Sequence, residues 1–183
     1  ETGGNLLNVN AISKNINDDS LAYFQFLKAS VDYRTYIPYG KESTFAYRFH
    51  VGVAKPYGKF SQGLLPYEKY YFAGGSNSIR AWAPRRLGPG SFVETDEEGN
   101  FIYSFEKPGE IILETSIEVR RNLISFLDGA LFMDAGNVWS FSENDEPGSN
   151  FQLDRFFNEI AIGTGFGLRI DFSFLIMRFD LAF

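Results

Sequence analysis

The residue with the most specific chemistry on offer is Arg80. It stands in Phe72-Ala-Gly-Gly-Ser-Asn-Ser-Ile-Arg80-Ala-Trp82-Ala-Pro-Arg-Arg-Leu-Gly-Pro-Gly90, where four glycines and two prolines within nineteen residues argue against a helix or a sheet ladder. Phe72, Ile79, Arg80 and Trp82 are side chains that a purely solvated loop rarely needs. A long connection carrying such anchoring groups reads as a functional insertion. A planar guanidinium binds a carboxylate through two parallel bonds and stacks on an aromatic ring, which an ammonium does less well. The alternative for Arg80 is an ordinary surface arginine in a long loop.

The other candidates carry less. Ser76 and Ser78 have neither a nucleophile elbow nor a credible base, so hydrolase chemistry is not expected. His50 is the single histidine and reads as a solvated polar-face residue, not a metal ligand or general base. Gly163-Thr-Gly-Phe-Gly167 mimics a nucleotide loop without its spacing or following helix; its glycines fall on one face at period two and would leave a smooth wall for a plugging segment. The acidic stretch Glu94 to Glu98 reads as a solvated loop with at most weak calcium binding. With no cysteine, a disulfide scaffold and a thiolate metal site are both excluded. No cofactor and no metal site is expected.

The elements that must position Arg80 alternate at period two. Leu27, Ala29, Val31 and Tyr33 oppose Lys28, Ser30, Asp32 and Arg34, in a strand read from Tyr23 to Tyr36. After a turn at Pro38 to Ser43, Phe45, Tyr47, Phe49, Val51 and Val53 oppose Ala46, Arg48, His50 and Gly52. A very long connection runs from about 54 to 109. Ile111, Leu113, Thr115, Ile117 and Val119 then oppose Glu114, Ser116, Glu118 and Arg120. A turn near Arg121 to Ser125 leads to Leu131 and Met133 opposing Asp128, Phe132, Asp134 and Gly136. A second polar loop is read over 140 to 158. Two further strands put Ile162, Phe166, Leu168, Met177, Phe179 and Leu181 against Gly163, Gly165, Gly167, Arg169, Arg178 and Asp180. Residues 1 to 8 are read as the end of a strand, Asn15 to Ser20 as a polar turn, and no segment as a helix.

One face of nearly every strand is thus apolar over roughly 9 to 11 residues, the length of a tilted membrane strand, while the other carries charge at mid-strand. Short turns alternate with long loops, the pattern of an outer-membrane barrel. Seventeen per cent aromatic residues suit strands and membrane interfaces. No window reaches the roughly 18 apolar residues of a membrane helix, which leaves a barrel open. The formal charge of −6 and a pI near 4.9 speak against nucleic acid as a partner. No linker divides the 183 residues, which read as a single unit. The fold expected is all-β: an antiparallel transmembrane β-barrel, present as a partial barrel of about seven strands with a long lumen-directed loop. A soluble β-sandwich serving as an adhesion module is the alternative. Seven strands leave edges that lipid cannot satisfy, so the chain is expected to be a fragment. It starts at Glu1 without a basic or apolar leader, so any signal peptide was removed or lay upstream.

Phe72 to Trp82 followed by Leu87-Gly-Pro-Gly90 resembles the sixth extracellular loop of the BamA/TamA family of outer-membrane assembly proteins. Gly129-Ala-Leu-Phe132-Met-Asp134-Ala-Gly136-Asn-Val-Trp139 resembles that family's thirteenth strand. Ser-Ile-Glu118-Val between them, and Gly163 to Arg169 and Arg178-Phe-Asp180-Leu after them, keep the family's order. The Ala81-Trp82 tip, where glycine is common at the position of Ala81, is similar to the TamA-like lipoprotein branch (TamL). A Cβ at Ala81 requires a tip conformation without positive φ.

The resemblance implies a barrel tip loop folded inward, with Arg80 meeting Asp134, Phe132 and Glu118 as a latch. Ile79, Trp82, Gly74 and Gly75 would complete the loop and Gly136 the wall. All three wall partners of Arg80 fall on the charged face read from the alternation. The resemblance further implies residues 1 to 183 as the C-terminal barrel portion, about strands 9 to 15 of 16, with periplasmic domains upstream. It implies a non-enzymatic factor of the bacterial outer membrane that inserts or translocates proteins. Its partners would be outer-membrane lipid, unfolded outer-membrane protein or lipoprotein substrates, and other assembly-machinery subunits. A two-partner-secretion-type transporter or a passive porin-like channel is the functional alternative.

Overall fold

A computed structural model describes residues 1–3, 24–58, 63–96, 98–100, 102, 106–142, 146–172 and 174–183. The described residues form one antiparallel sheet of seven strands in sequence order: β1 (Thr2–Gly3), β2 (Phe26–Tyr39), β3 (Ser43–Pro56), β4 (Ile111–Ile124), β5 (Leu127–Trp139), β6 (Ala161–Asp171) and β7 (Ile176–Ala182). Every strand pairs with its chain neighbour, so short connections can close each hairpin at one rim. Such a meander, with no second sheet among the described residues, is a stretch of barrel wall and not a sandwich. The turn read over residues 15 to 20 lies outside the described residues.

The two faces of the sheet invert the soluble pattern. Val31, Leu131, Ile162, Phe166 and Phe179 stand open on one face, Leu131 at 66% exposure. Glu114, Glu118, Asp134 and Arg169 are buried on the other, Asp134 at 0%. Charge inside and apolar side chains outside is what a lipid-facing wall demands. The strands of 14, 14, 14 and 13 residues from β2 to β5 are long enough to cross at a tilt.

The long connection between β3 and β4 lies on the charged face and builds the core there. Leu65, Tyr71, Ala73, Ile79 and Leu87 from the connection pack with Phe26, Ala54, Ile112 and Val138 from the long-loop ends of the strands. The inward positions of the strands therefore change from apolar near that rim to charged at mid-height. Isolated bridges Tyr71–Gly109 and Ala73–Leu87 hold the connection as a folded-back hairpin. The Leu87 N–H donates to the Ala73 carbonyl at 3.2 Å and the Gly75 N–H to the Trp82 carbonyl at 2.9 Å.

Three details differ from the sequence reading. The turn expected near Arg121 to Ser125 shrinks to Ser125 and Phe126, because a register shift between Asn122 and Ile124 lets β4 continue. Asn122 seals that bulge by donating to Asp128 at 2.8 Å. The second loop is more than a solvated polar segment, for Trp139, Phe151 and Phe156 form an aromatic cluster with centroids 5.5–5.8 Å apart. It also contains one helical turn, α1 (Phe156–Glu159), whose buried Glu159 accepts the Trp139 indole N–H at 2.7 Å. Its polar residues hid this cap because the aromatics that anchor it are spread between them with no period.

Candidate functional site

The site is set by two neighbouring rungs of the β4–β5 ladder. Ser116 pairs with Asp134 and Glu118 with Phe132, and β6 adds Gly163 opposite Asp134 and Gly165 opposite Phe132. Period two aims all of these side chains at the loop. The missing side chains of β6 leave room: a Cβ on Gly165 would stand 2.5 Å from the Phe132 ring, and one on Gly163 2.7 Å from the Ala81 methyl carbon.

Arg80 fills that room. Its Nε and Nη2 donate to the two Asp134 oxygens at 2.7 and 2.8 Å, a bidentate fork, and its own backbone N–H donates to Asp134 at 3.1 Å. Nη1 donates to Glu118 at 2.8 Å, and Nη2 reaches Ser116 at 3.2 Å. The guanidinium carbon lies 3.4 Å from the centre of the Phe132 ring. The Ser116 hydroxyl donates to Asp134 at 2.7 Å. Every member of the fork is at most 7% exposed at its side chain, so the ion pairs are desolvated and hydrogen-bonded on nearly all sides.

The remaining predicted loop residues have distinct places. Ile79 is completely buried in the core beside the site, and burial of such a side chain stabilises by about 1.5–3 kcal/mol. Trp82 packs against the same core. Gly74 and Gly75 have φ of +100° and +99°, and a Cβ on Gly75 would also press on Pro84 at 3.2 Å. Ala81 is not among the residues with positive φ, which is how a residue with a Cβ is tolerated at the tip. Gly136 pairs with Glu114 on β4 and lies two residues beyond Asp134; a Cβ there would run into the β4 backbone at Leu113 and Glu114. It permits the close approach of the strands.

Asp180, Glu114 and the arginines that meet the site's carboxylates were not singled out as site residues from the sequence. Glu118 is shared, accepting also from Arg120 at 2.7 Å and Arg169 at 3.0 Å. Asp180 lies 3.5 Å from Arg80 and is held by Arg169 and by Arg178 at 2.8 Å. A second set of bonds fixes the loop on the other side of the tip. The Ser78 hydroxyl accepts the Gly74 N–H at 2.8 Å and donates to Glu114. Glu114 also meets His50 at 3.2 Å and Arg48 at 3.4 Å. His50 is thus a wall residue bound to a carboxylate on the neighbouring strand, not a solvated one. Arg48 and Arg178 donate to the Asn77 and Ser76 carbonyls. All these groups sit on the charged face, and alternation was the available signal.

Ser76 and Ser78 are accordingly engaged in holding the loop. Asp96 in the acidic stretch accepts the Asn100 and Glu98 backbone N–H groups at 2.8 and 3.0 Å, and the Asn100 bonds hold its carboxyl below the usual range. Among the described residues no group of three or more His, Cys, Asp or Glu is arranged to hold a metal ion.

A membrane-spanning antiparallel β-wall whose tip loop folds onto a buried arginine–carboxylate site defines the class: an outer-membrane barrel with an internal loop. The chain belongs to the Omp85 superfamily, whose domain matches residues 2–183. Membership locates it in the bacterial outer membrane, within a superfamily of assembly and transport proteins that act on outer-membrane substrates. Among solved structures, a crystal structure of BamA from Haemophilus ducreyi lacking POTRA domains 1–3 matches with a TM-score of 0.62 and 19% identity, over 86% of this chain and 31% of that one. At that identity the likeness concerns the fold, and this chain spans about a third of the length of that crystallised chain. No curated protein matches.

Proposed function

We propose that this chain is the C-terminal barrel portion, about strands 9 to 15 of 16, of a non-enzymatic factor that inserts or translocates proteins at the outer membrane, and that Arg80 latches its loop. The bidentate Arg80–Asp134 pair under the Phe132 ring carries the reading. A passive pore has no need to desolvate a guanidinium and two carboxylates in its interior, whereas a loop that must keep one position inside a wide barrel does. The Ser78 hydroxyl and His50 both bond to the wall carboxylate Glu114, which favours a structural over a catalytic role.

The substrates in this reading are unfolded outer-membrane proteins or lipoproteins, received with the help of upstream periplasmic domains and other assembly subunits. The Ala81-Trp82 tip is the ground for placing the chain in the TamA-like lipoprotein branch. The test is complementation in cells depleted of the intact protein. Arg80→Ala is expected to lower the amount of a folded reporter barrel in the outer membrane while the variant itself is still inserted. Normal reporter assembly after depletion, together with a wide and stable conductance of the purified protein, would instead identify a passive channel.

A further inference from the structure

A cavity of ≈ 320 Å³ lies beneath the loop tip, on the charged face. Its lining includes Arg34, Arg48, Arg80, Arg120 and Arg178, with Glu118 as the one carboxylate among the lining residues. The imbalance survives when the bonded acids are added. Six guanidiniums (these five and Arg169) share five carboxylates: Asp32, Glu114, Glu118, Asp134 and Asp180. Asp128 and Asp171, on the same face but nearer the short-turn rim, form no ion pair with these arginines, so the excess of guanidiniums is confined to the cavity lining itself.

Unspent donors are visible atom by atom. Arg34 spends Nε and Nη2 on Asp32, and Arg120 spends Nε on Glu118. Nη1 of Arg34 and both terminal nitrogens of Arg120 have no acceptor among the described residues. The two side chains are 56% and 36% exposed in this seven-stranded sheet, so within it these donors are free to meet a ligand. By register, Arg34, Arg120 and Arg178 sit in the half of the sheet nearer the short turns, while Ser76 and Asn77 close the other side. A ligand would therefore arrive from the short-turn rim.

We propose that this arginine-lined cavity is an anion site that takes the carboxylate of a peptide segment entering the barrel from the short-turn side. Guanidinium forks match a carboxylate in geometry and charge. The volume is at the lower end of ligand-sized pockets, about 300–1,000 Å³, and more than a bare inorganic anion needs. A lipid is disfavoured, since the cavity faces the loop and not the apolar side of the wall and its lining is polar. The choice of a peptide rests on the assembly reading above; the anion site itself does not.

The experiment uses the intact protein purified in detergent and two fluorescent probes: a neutral Gly/Ser/Thr hexapeptide with a free C-terminal carboxylate, and the same peptide as its C-terminal amide. Fluorescence anisotropy is expected to give a Kd at least tenfold lower for the carboxylate form, about 1.4 kcal/mol. The preference should vanish in Arg34→Gln/Arg120→Gln and persist in Arg85→Gln, which removes a charge from a loop arginine outside the cavity lining. Arg34→Gln alone, on an exposed side chain, should lose about half of the preference on a logarithmic scale and guards against misfolding of the double variant. Equal binding of the two probes, or an undiminished preference in the double variant, overturns the proposal. Displacement of the peptide by an equal concentration of inorganic phosphate overturns the peptide assignment in favour of a bare-anion site. Because the readout is binding, these outcomes leave the assembly role to its own test.

Discussion

Ala81 and Gly163 are a matched pair: the methyl group on the loop tip occupies the space that a side chain on β6 would need, at 2.7 Å from where its Cβ would stand. The Arg80 fork is held one residue away. Gly163→Val should therefore push the tip off the wall and lengthen the Arg80–Asp134 contact, with a loss of about 1–3 kcal/mol typical of overpacking. Thermal unfolding in detergent and protease access to residues 76–82 are the measurements. A variant as stable and as protected as wild type would contradict the pairing. Gly163→Val with Ala81→Gly should recover part of the loss.

Arg80→Lys keeps the charge and loses the fork and the flat stack on Phe132. Hydrogen bonds to charged groups contribute about 1.5–3 kcal/mol each, so loss of at least one should lower the unfolding temperature and partly impair assembly. Arg80→Ala should cost more, about 3–5 kcal/mol, because Asp134 and Glu118 are left buried without their cation. An Arg80→Lys variant indistinguishable from wild type would show that charge alone suffices.

A double-mutant cycle on Arg80→Ala and Asp134→Ala separates the pair from its surroundings. Residues in such direct contact couple by about 0.5–3 kcal/mol. The double variant should be markedly more stable than the sum of the single losses predicts. Strict additivity in chemical unfolding would mean that the fork is not energetically coupled.

Ser78→Ala removes the hydroxyl that joins Gly74 to Glu114 and leaves the Arg80 fork untouched. An unsatisfied buried partner costs about 1–3 kcal/mol. Hydrogen exchange at Gly74 to Ser78 should accelerate while Arg80 and Trp82 stay protected. Uniform loosening of the whole loop would indicate one anchor in place of two.

The outward face makes a depth-dependent prediction. Met133, at the middle of β5, should tolerate Arg poorly, by roughly 2–4 kcal/mol, whereas Ile124 at the short-turn rim should lose only about 0–1 kcal/mol to the same change. Folding titrations into vesicles give both values. Equal penalties would argue that this face does not meet lipid.

Alternation at period two was sufficient to read the strands, their lipid side and their charged side, since each residue's face follows from its parity alone. The glycines and prolines of residues 72–90, with Ile79, Arg80 and Trp82 among them, were sufficient to mark an anchored loop. Which charges meet was another matter. A two-residue slip of β4 against β5 would keep every face and replace every neighbour, so only the actual register brings Ser116 level with Asp134 and Glu118 level with Phe132. The neighbouring registers do the same: β3 against β4 gives His50 a partner in Glu114, and β6 against β5 sets Gly163 beside Asp134 and under Ala81. Contact of this kind joins residues up to 102 positions apart, such as Arg178 and Ser76. Parity along a strand carries no information across such distances; the paired backbones and the folded-back loop supply it.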